Sequence, residues 1–333
     1  MRPRPPDPAA TRSKALLASH TLDRLTALNL ESVNGTMRIS PYIFSTGGFR
    51  RATFCTVLVA AWTLASPALP QEKMSTLEQA RAAVARSDFD AAAKLAAEAI
   101  IANPKSVESH VVYATALDEL GKHGEAVKTM DRAIELSPGN ANMHDQRGSM
   151  RFKNGDMQGS LDDYDRAIKL DPRRNRRHWQ RGIVCYYLGK YAEGGRQFGL
   201  YQTYDDNDVE NVVWRFACMA RDVGVEKARA KMLSVRLDRR VPMMQIYELF
   251  RGKAKPEDVL KAANANKDDK ARQNYQQFYA NYYLGLYLEA TGKPELARAH
   301  LLEAPKHKND HYMWHVARIH AARLAKPADS TKE

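Results

Sequence analysis

The chain has 333 residues, of which 44% are hydrophobic and 27% are charged, so its composition is ordinary for a globular protein. Its formal net charge of +12 permits contact with anionic polymers or lipid headgroups but specifies neither. Its three cysteines give no disulfide framework and no metal-ligand spacing.

The N-terminal part of the chain predicts an export signal. Residues 1–36 are rich in Pro, Arg, Ser and Thr near their start and are interpreted as disordered or untranslated, with Met37 as a start. An uncharged run, 52–71, follows two arginines and contains an apolar stretch of the length of a secretory signal core. Residues 37–68 are therefore predicted to be a signal peptide cleaved after Ala68. The alternative is an uncleaved anchor in the inner membrane.

The region from Ser75 to Pro172 repeats one pattern every 34 positions. A proline closes each unit, an alanine stands five residues before it, another small residue twelve before it, and a glycine or serine seventeen before it. Small residues allow two antiparallel helices to cross closely, glycine can end a helix in the left-handed region, and proline cannot continue one. The positions that define the repeats are Ala114, Gly121, Ala126, Ala133, Pro138, Gly148, Gly155, Ala167, Pro172, Gly182, Gly189, Gly285, Gly292 and Ala297.

This register resembles the tetratricopeptide repeat (TPR), a helix–turn–helix unit. The resemblance implies an all-α solenoid of antiparallel helix pairs that forms a right-handed superhelix, because stacked neighbours bury the apolar face that one unit cannot bury alone. We predict a TPR array at 73–205, a degenerate helical segment at 206–270, a C-terminal repeat with a capping helix over the open end at 271–325, and a disordered tail at 326–333. This arrangement also resembles NlpI-type lipoprotein adaptors of bacterial envelopes.

Proteins with this repeat bind extended peptides or helices in the groove lined by the first helix of each unit, so the resemblance implies such a groove. Its expected residues mix amides, acids and aromatics, which suits hydrogen bonds to a peptide backbone and pockets for apolar side chains. They are Asn142, Asp145, Gln146, Ser149, Phe152, Arg176, Trp179, Ile183 and Tyr186. Alternatively, Trp179 and Tyr186 simply pack against the next repeat.

Other features leave alternatives open. Six aromatic side chains between Gln273 and Tyr287 must be partly core, and the remainder could form a protein-binding face. His311 and His315 are four residues apart and could share a metal ion only with a third ligand. Cys185 and Cys218 could pair after export or remain small buried hydrophobic residues.

No motif in the sequence indicates catalysis: there is no Gly-rich phosphate loop, no nucleophile elbow and no carboxylate pair in an apolar setting. No catalytic residue, cofactor or metal is therefore predicted. We interpret the protein as a non-catalytic scaffold or adaptor of the cell envelope, exported to the periplasm, that binds a peptide segment of an unidentified protein partner. Nucleic acid is not an expected partner, and membrane contact is expected only through an uncleaved N-terminal segment.

Two other functions stay open from the sequence. The protein could be a self-associating structural protein, and therefore a homo-oligomer, that stacks through its aromatic C-terminal repeat. It could instead be an accessory subunit of an enzyme complex that holds a small anionic ligand near the basic run at 173–181, although such a run is often a solvated loop.

Overall fold

The computed structural model describes residues 74–265 and 268–325, and every regular element in these residues is a helix. The predicted signal segment and the predicted tail lie outside the described residues. The helices belong to the unit Thr76–Glu333. Their bounds are α1 Thr76–Ala85, α2 Phe89–Ala102, α3 Val107–Glu119, α4 His123–Leu136, α5 Ala141–Lys153, α6 Met157–Leu170, α7 Trp179–Tyr187, α8 Tyr191–Tyr201, α9 Val209–Val223, α10 Val225–Ala230, α11 Met243–Phe250, α12 Pro256–Ala263, α13 Lys270–Ala290, α14 Pro294–Glu303 and α15 Tyr312–Ala325.

Consecutive helices pack as antiparallel pairs, which confirms the predicted all-α solenoid. Side chains fix where the helices begin: Ser106 Oγ accepts a hydrogen bond from the Ser109 amide at 3.2 Å, and Asp156 Oδ1 accepts one from the Gly159 amide at 2.9 Å. Such caps satisfy amides that have no partner inside the helix.

The turn inside each pair requires a residue in the left-handed region. The φ angle is +78° at Gly121, +88° at Gly155 and +71° at Gly189. The amide of Lys122, the residue after Gly121, donates to the Leu117 carbonyl at 2.8 Å. Of the two hydrogen bonds of a Schellman motif, this is the one that spans more residues. Ser87 occupies the same place in the first pair with a φ of +59°, although it is not a glycine.

Glycines also permit close crossing of the two helices in a pair. A Cβ added at Gly148 would lie 2.7 Å from the Tyr164 ring, and one added at Gly182 would lie 2.8 Å from the ring of Phe198. Ser160 Oγ donates to the Gly148 carbonyl at 2.7 Å across the same contact. The spacing of small residues in the sequence therefore corresponds to real points of closest approach.

The fourth pair departs from the repeat. After Pro104 and Pro138 an α-helix begins three residues later, but after Pro172 the chain forms a 3₁₀-helix, Pro172–Arg177, and α7 begins only at Trp179. As a result α7 has 9 residues, whereas α3 and α5 have 13 each. The shift changes which arginine of the basic run faces the first helices of the array.

The C-terminal half contains the largest aromatic core. Trp214, Phe250, Tyr282 and Tyr283 are completely or almost completely buried in it. The aromatic run of α13 is therefore mainly core. Cys185 and Cys218 are free and buried, and burial raises the pKa of the Cys185 thiol to about 11. No helix among residues 74–265 and 268–325 combines the length and the apolar character that a membrane crossing requires.

Candidate functional site

The candidate site is the surface of the array against which α15 lies. We call this surface the inner wall and define it by Asp118, Ser149, Phe152, Trp179 and Tyr187, which stand on the first helices α3, α5 and α7. Each of these residues faces a side chain or carbonyl of α15. The wall is therefore filled by the chain's own last described helix.

Tyr312 anchors the first turn of α15. Its ring stacks on Phe152 with centroids 5.9 Å apart and meets Trp179 edge-on at 5.2 Å. Its hydroxyl faces Tyr164 and Ser149, and burial raises the pKa of Tyr312 above its ordinary range. Such offset and edge-on aromatic contacts add about 0.5–1.5 kcal/mol each beyond burial.

His315 meets a buried polar cluster one turn further along. Its ring lies edge-on to His123 at 5.8 Å. His123 Nδ1 is 2.8 Å from Asp118 Oδ1, and Lys153 Nζ is 2.6 Å from Asp118 Oδ2. The side chains of Asp118 and Lys153 are almost fully buried. Burial alone would raise the pKa of Asp118, but the hydrogen bond from His123 and the charge of Lys153 lower it to about 2. Burial, with the nearby cations Lys153 and Arg318, lowers the pKa of His315 to about 3.

His320 anchors the last turns of α15. Its Nε2 lies 3.5 Å from Glu289 Oε2, and Tyr186 donates its hydroxyl proton to the same carboxylate at 2.7 Å. Burial opposes ionisation of Glu289, but the hydrogen bonds from His320 and Tyr186 lower its pKa overall. The Tyr187 ring covers His320 at 5.5 Å, and its hydroxyl donates to the Val316 carbonyl at 3.4 Å.

A second polar cluster lies beside the wall, around Asp145. Arg174 Nη1 is 3.0 Å from Asp145 Oδ2, and Arg174 also bonds Asn142. His178 Nε2 is 2.9 Å from Asp145 Oδ1. The predicted groove residue Arg176 is not part of this cluster: it is exposed and its guanidinium lies over the Tyr204 ring at 5.9 Å. The 3₁₀-helix turns Arg174, not Arg176, toward the first helices.

The other predicted groove residues do not line an open channel. Ile183 is buried in the core, and Tyr186 packs edge-on against Trp214 at 5.3 Å. Phe152 and Trp179 are in contact with α15, and Ser149 faces it. The physical reason is that α15 and the aromatic core occupy the two sides of α7, so its aromatic side chains have partners within the chain.

Several buried polar atoms at this contact have no hydrogen-bond partner among the described residues. On the array side they are His123 Nε2, Gln146 Oε1 and Tyr164 Oη, and on α15 they are Tyr312 Oη, His315 Nδ1 and His320 Nδ1. Gln146 stands three residues before Ser149 on the same face of α5. Native cores leave few such atoms, so their presence at one contact marks it as polar and incompletely matched.

The sequence did not identify Lys153 or the role of α15, and it indicated Arg174 and His178 only as part of the basic run at 173–181. One signal was available for α15: its buried residues Met313, Val316, Ala317 and His320 fall at helical spacing and so require a surface to cover them. The pattern does not say which surface that is.

Comparisons with known proteins agree with this architecture. Residues 77–141 match the family model of the tetratricopeptide repeat. A tetratricopeptide repeat protein from Parabacteroides merdae matches with a TM-score of 0.50 at 14% identity, over 74% of this chain and 97% of that chain. The MamA protein matches with a TM-score of 0.45 at 15% identity, over 57% of this chain and 93% of that chain. No curated protein matches the sequence. At such low identity, the likeness to the Parabacteroides structure concerns the fold alone.

Proposed function

Because the chain is a tetratricopeptide repeat protein, we propose that it acts as a non-catalytic scaffold that binds a segment of a partner protein along the inner wall. The observation that carries the proposal is the occupied wall: an amphipathic helix, α15, already lies in it. Two aromatic rings of the wall hold Tyr312, and a third covers His320. A wall that holds one amphipathic helix in this way has the chemistry to hold another.

The proposal extends to the cell envelope. Its support is the sequence at 37–68, an apolar stretch behind two arginines with a small-x-small site ending at Ala68. These residues lie outside the described ones. Sequencing the N-terminus of the protein recovered from cells tests this part: we expect a mature chain that starts after Ala68, and an intact signal segment would remove the periplasmic assignment.

Affinity capture from the envelope fraction tests the scaffold function. The informative variant is Trp179→Ala, which removes a wall ring in contact with α15. Two matched controls are Arg176→Ala, whose side chain is exposed over Tyr204, and Leu296→Ala, which is exposed on α14. We expect the wild type and both controls to capture the same proteins and Trp179→Ala to lose them. An identical set with all four proteins would refute binding at the wall.

A further inference from the structure

We propose that α15 is an exchangeable ligand of the inner wall, and that the partner is an amphipathic helix carrying a carboxylate where α15 presents His315. This inference rests on the proposed scaffold function and specifies the chemistry of the partner. It depends on the attachment of α15 and on the polar mismatch beneath it.

The attachment of α15 is that of a terminal, separately connected segment. It is the last described helix, it follows a non-helical stretch at 307–311, and its apolar stripe consists of Met313, Val316 and Ala317. The stacked repeats bury their own cores through contacts with their immediate neighbours. The clusters formed by α1 to α4 contain no residue of α15, whereas Met313, Val316 and Ala317 share one cluster with Phe152 and Tyr187. Departure of α15 therefore leaves the cores of the first helix pairs in place and uncovers one side of the C-terminal cluster.

The mismatch is centred on His315. Its Nδ1 atom and the facing His123 Nε2 are both buried, and neither has a hydrogen-bond partner within the described part of the chain. The groups that face His315 are His123, Lys153 and Asp118 from the array and Arg318 from α15 itself. Burial, together with the nearby cations Lys153 and Arg318, opposes protonation of His315. A neutral imidazole offers Lys153 no negative charge to pair with.

A carboxylate suits the same position better. Lys153 has three donor hydrogens and its Nζ makes one close contact, at 2.6 Å, with Asp118. His123 Nδ1 already pairs with Asp118, so its Nε2 is the ring atom left for a second partner. A partner acid at this position would lie beside His123 and accept a hydrogen bond from Lys153, so that Lys153 contacts two carboxylates in one buried cluster. Hydrogen bonds to charged groups are the stronger kind, which would favour such a helix over α15.

The test uses three fluorescent peptides of residues 308–325: the native sequence, His315→Glu, and Ala322→Glu as a control of equal charge at an exposed position of α15. Each is titrated by anisotropy onto the full chain carrying Tyr312→Ala, which weakens the resident helix. We expect the His315→Glu peptide to bind at least ~10-fold more tightly than the other two, since one charge-assisted hydrogen bond is worth that factor or more. Replacing His123 by Phe in the chain should abolish the preference and retain binding of the native peptide.

Each of the other outcomes refutes one part of the proposal. Equal binding of the three peptides refutes the carboxylate. Absence of binding, together with unchanged hydrogen exchange of α15 when the His315→Glu peptide is added to the wild-type chain, refutes exchange, because α15 is then permanent core. The capture experiment with Trp179→Ala judges the scaffold function independently. A dimer of the wild-type chain that forms by exchange of α15 would assign the wall to a second copy and refute a separate partner.

Discussion

Replacement of Val316 by aspartate is expected to release α15 from the inner wall while the repeats stay folded. Val316 is completely buried on α15, and its carbonyl accepts the hydrogen bond from Tyr187. A carboxylate forced into this position costs several kcal/mol if it remains ionised. If it is neutral, the helix still loses the roughly 1.5–3 kcal/mol that burial of the valine contributes.

The free energy that holds α15 against the inner wall is the difference between favourable burial and unfavourable polar contributions of similar size. Burial of Met313 and Val316 contributes about 1.5–3 kcal/mol each, with a smaller amount from Ala317. Against this stand the Nδ1 atoms of His315 and His320, which are buried without a hydrogen-bond partner among the described residues, at about 1–3 kcal/mol each. The two ring contacts of Tyr312 add about 0.5–1.5 kcal/mol each. The net is of the same order as the several kcal/mol that a single buried carboxylate costs.

Hydrogen exchange with mass spectrometry measures the effect. In Val316→Asp we expect the amides of 312–325 to exchange at nearly the rate of an unstructured peptide, while those of α1 to α6 keep their protection. The matched control is Ala322→Asp, which places the same charge on the exposed side of the same helix and should leave exchange unchanged. Protected α15 amides in Val316→Asp, or loss of protection throughout the array, would show that the helix belongs to one cooperative core.

Three further predictions concern turns, crossings and pH. Ser87 has a φ of +59°, a conformation that costs about 1–2 kcal/mol. In urea melts, Ser87→Gly should therefore raise the free energy of unfolding by about 0.5–1 kcal/mol. Gly121→Ala should lower it by about 1 kcal/mol, because Gly121 has a φ of +78°. Gly182→Ala puts a methyl 2.8 Å from a phenylalanine ring and should lower the free energy of unfolding by about 1–3 kcal/mol, and with it the melting temperature. Gly195→Ala, whose nearest contact would be at 3.5 Å, should not lower the melting temperature. Burial lowers the pKa of His315 from 6.5 to about 3, so the undocked helix binds a proton that the docked helix does not. The contribution of neutral His315 to docking is therefore fully present above pH 6.5 and is lost as the pH falls toward 3. Rate-corrected exchange of α15 should lose this dependence in His315→Gln.

The repeat architecture was predictable because its requirements are local. The left-handed turn at Gly121 and the close crossing at Gly148 each arise within one helix pair, so each leaves a mark at a fixed spacing in the sequence. The same regularity misled at Arg176, because extending the register past Pro172 assumes an α-helix where the chain forms a 3₁₀-helix. That departure shifts the start of the next helix, and Arg174 takes the place expected for Arg176.

The position of α15 was not predictable from the sequence. Helical spacing indicates that the side carrying Val316 and Ala317 must be covered, and a cap over the open end of the solenoid satisfies that requirement as well as the inner wall does. In the structure α15 contacts the C-terminal repeat, where Arg298 donates to the Leu324 carbonyl. It also contacts the inner wall through distant parts of the chain, such as Tyr312 with Phe152 and His315 with His123. No periodicity in the sequence contains such pairings.

The chemistry under α15 favours recognition over stability as the reason for the wall's polar residues. A buried ion pair such as Asp118–Lys153 contributes little net stability, and apolar residues of similar volume in its place are often neutral or stabilising. If the wall served only to bury α15, a row of apolar side chains would hold it more tightly than His123, Asp118 and Lys153 do. Polar groups at this position give specificity if the wall must distinguish among helices. A ligand that leaves them without partners binds less tightly, and one that supplies partners is selected. On the proposed function, the nitrogens of His123 and His315 that have no hydrogen-bond partner in the described part of the chain are the expected consequence of filling a selective surface with a segment that matches it only in part.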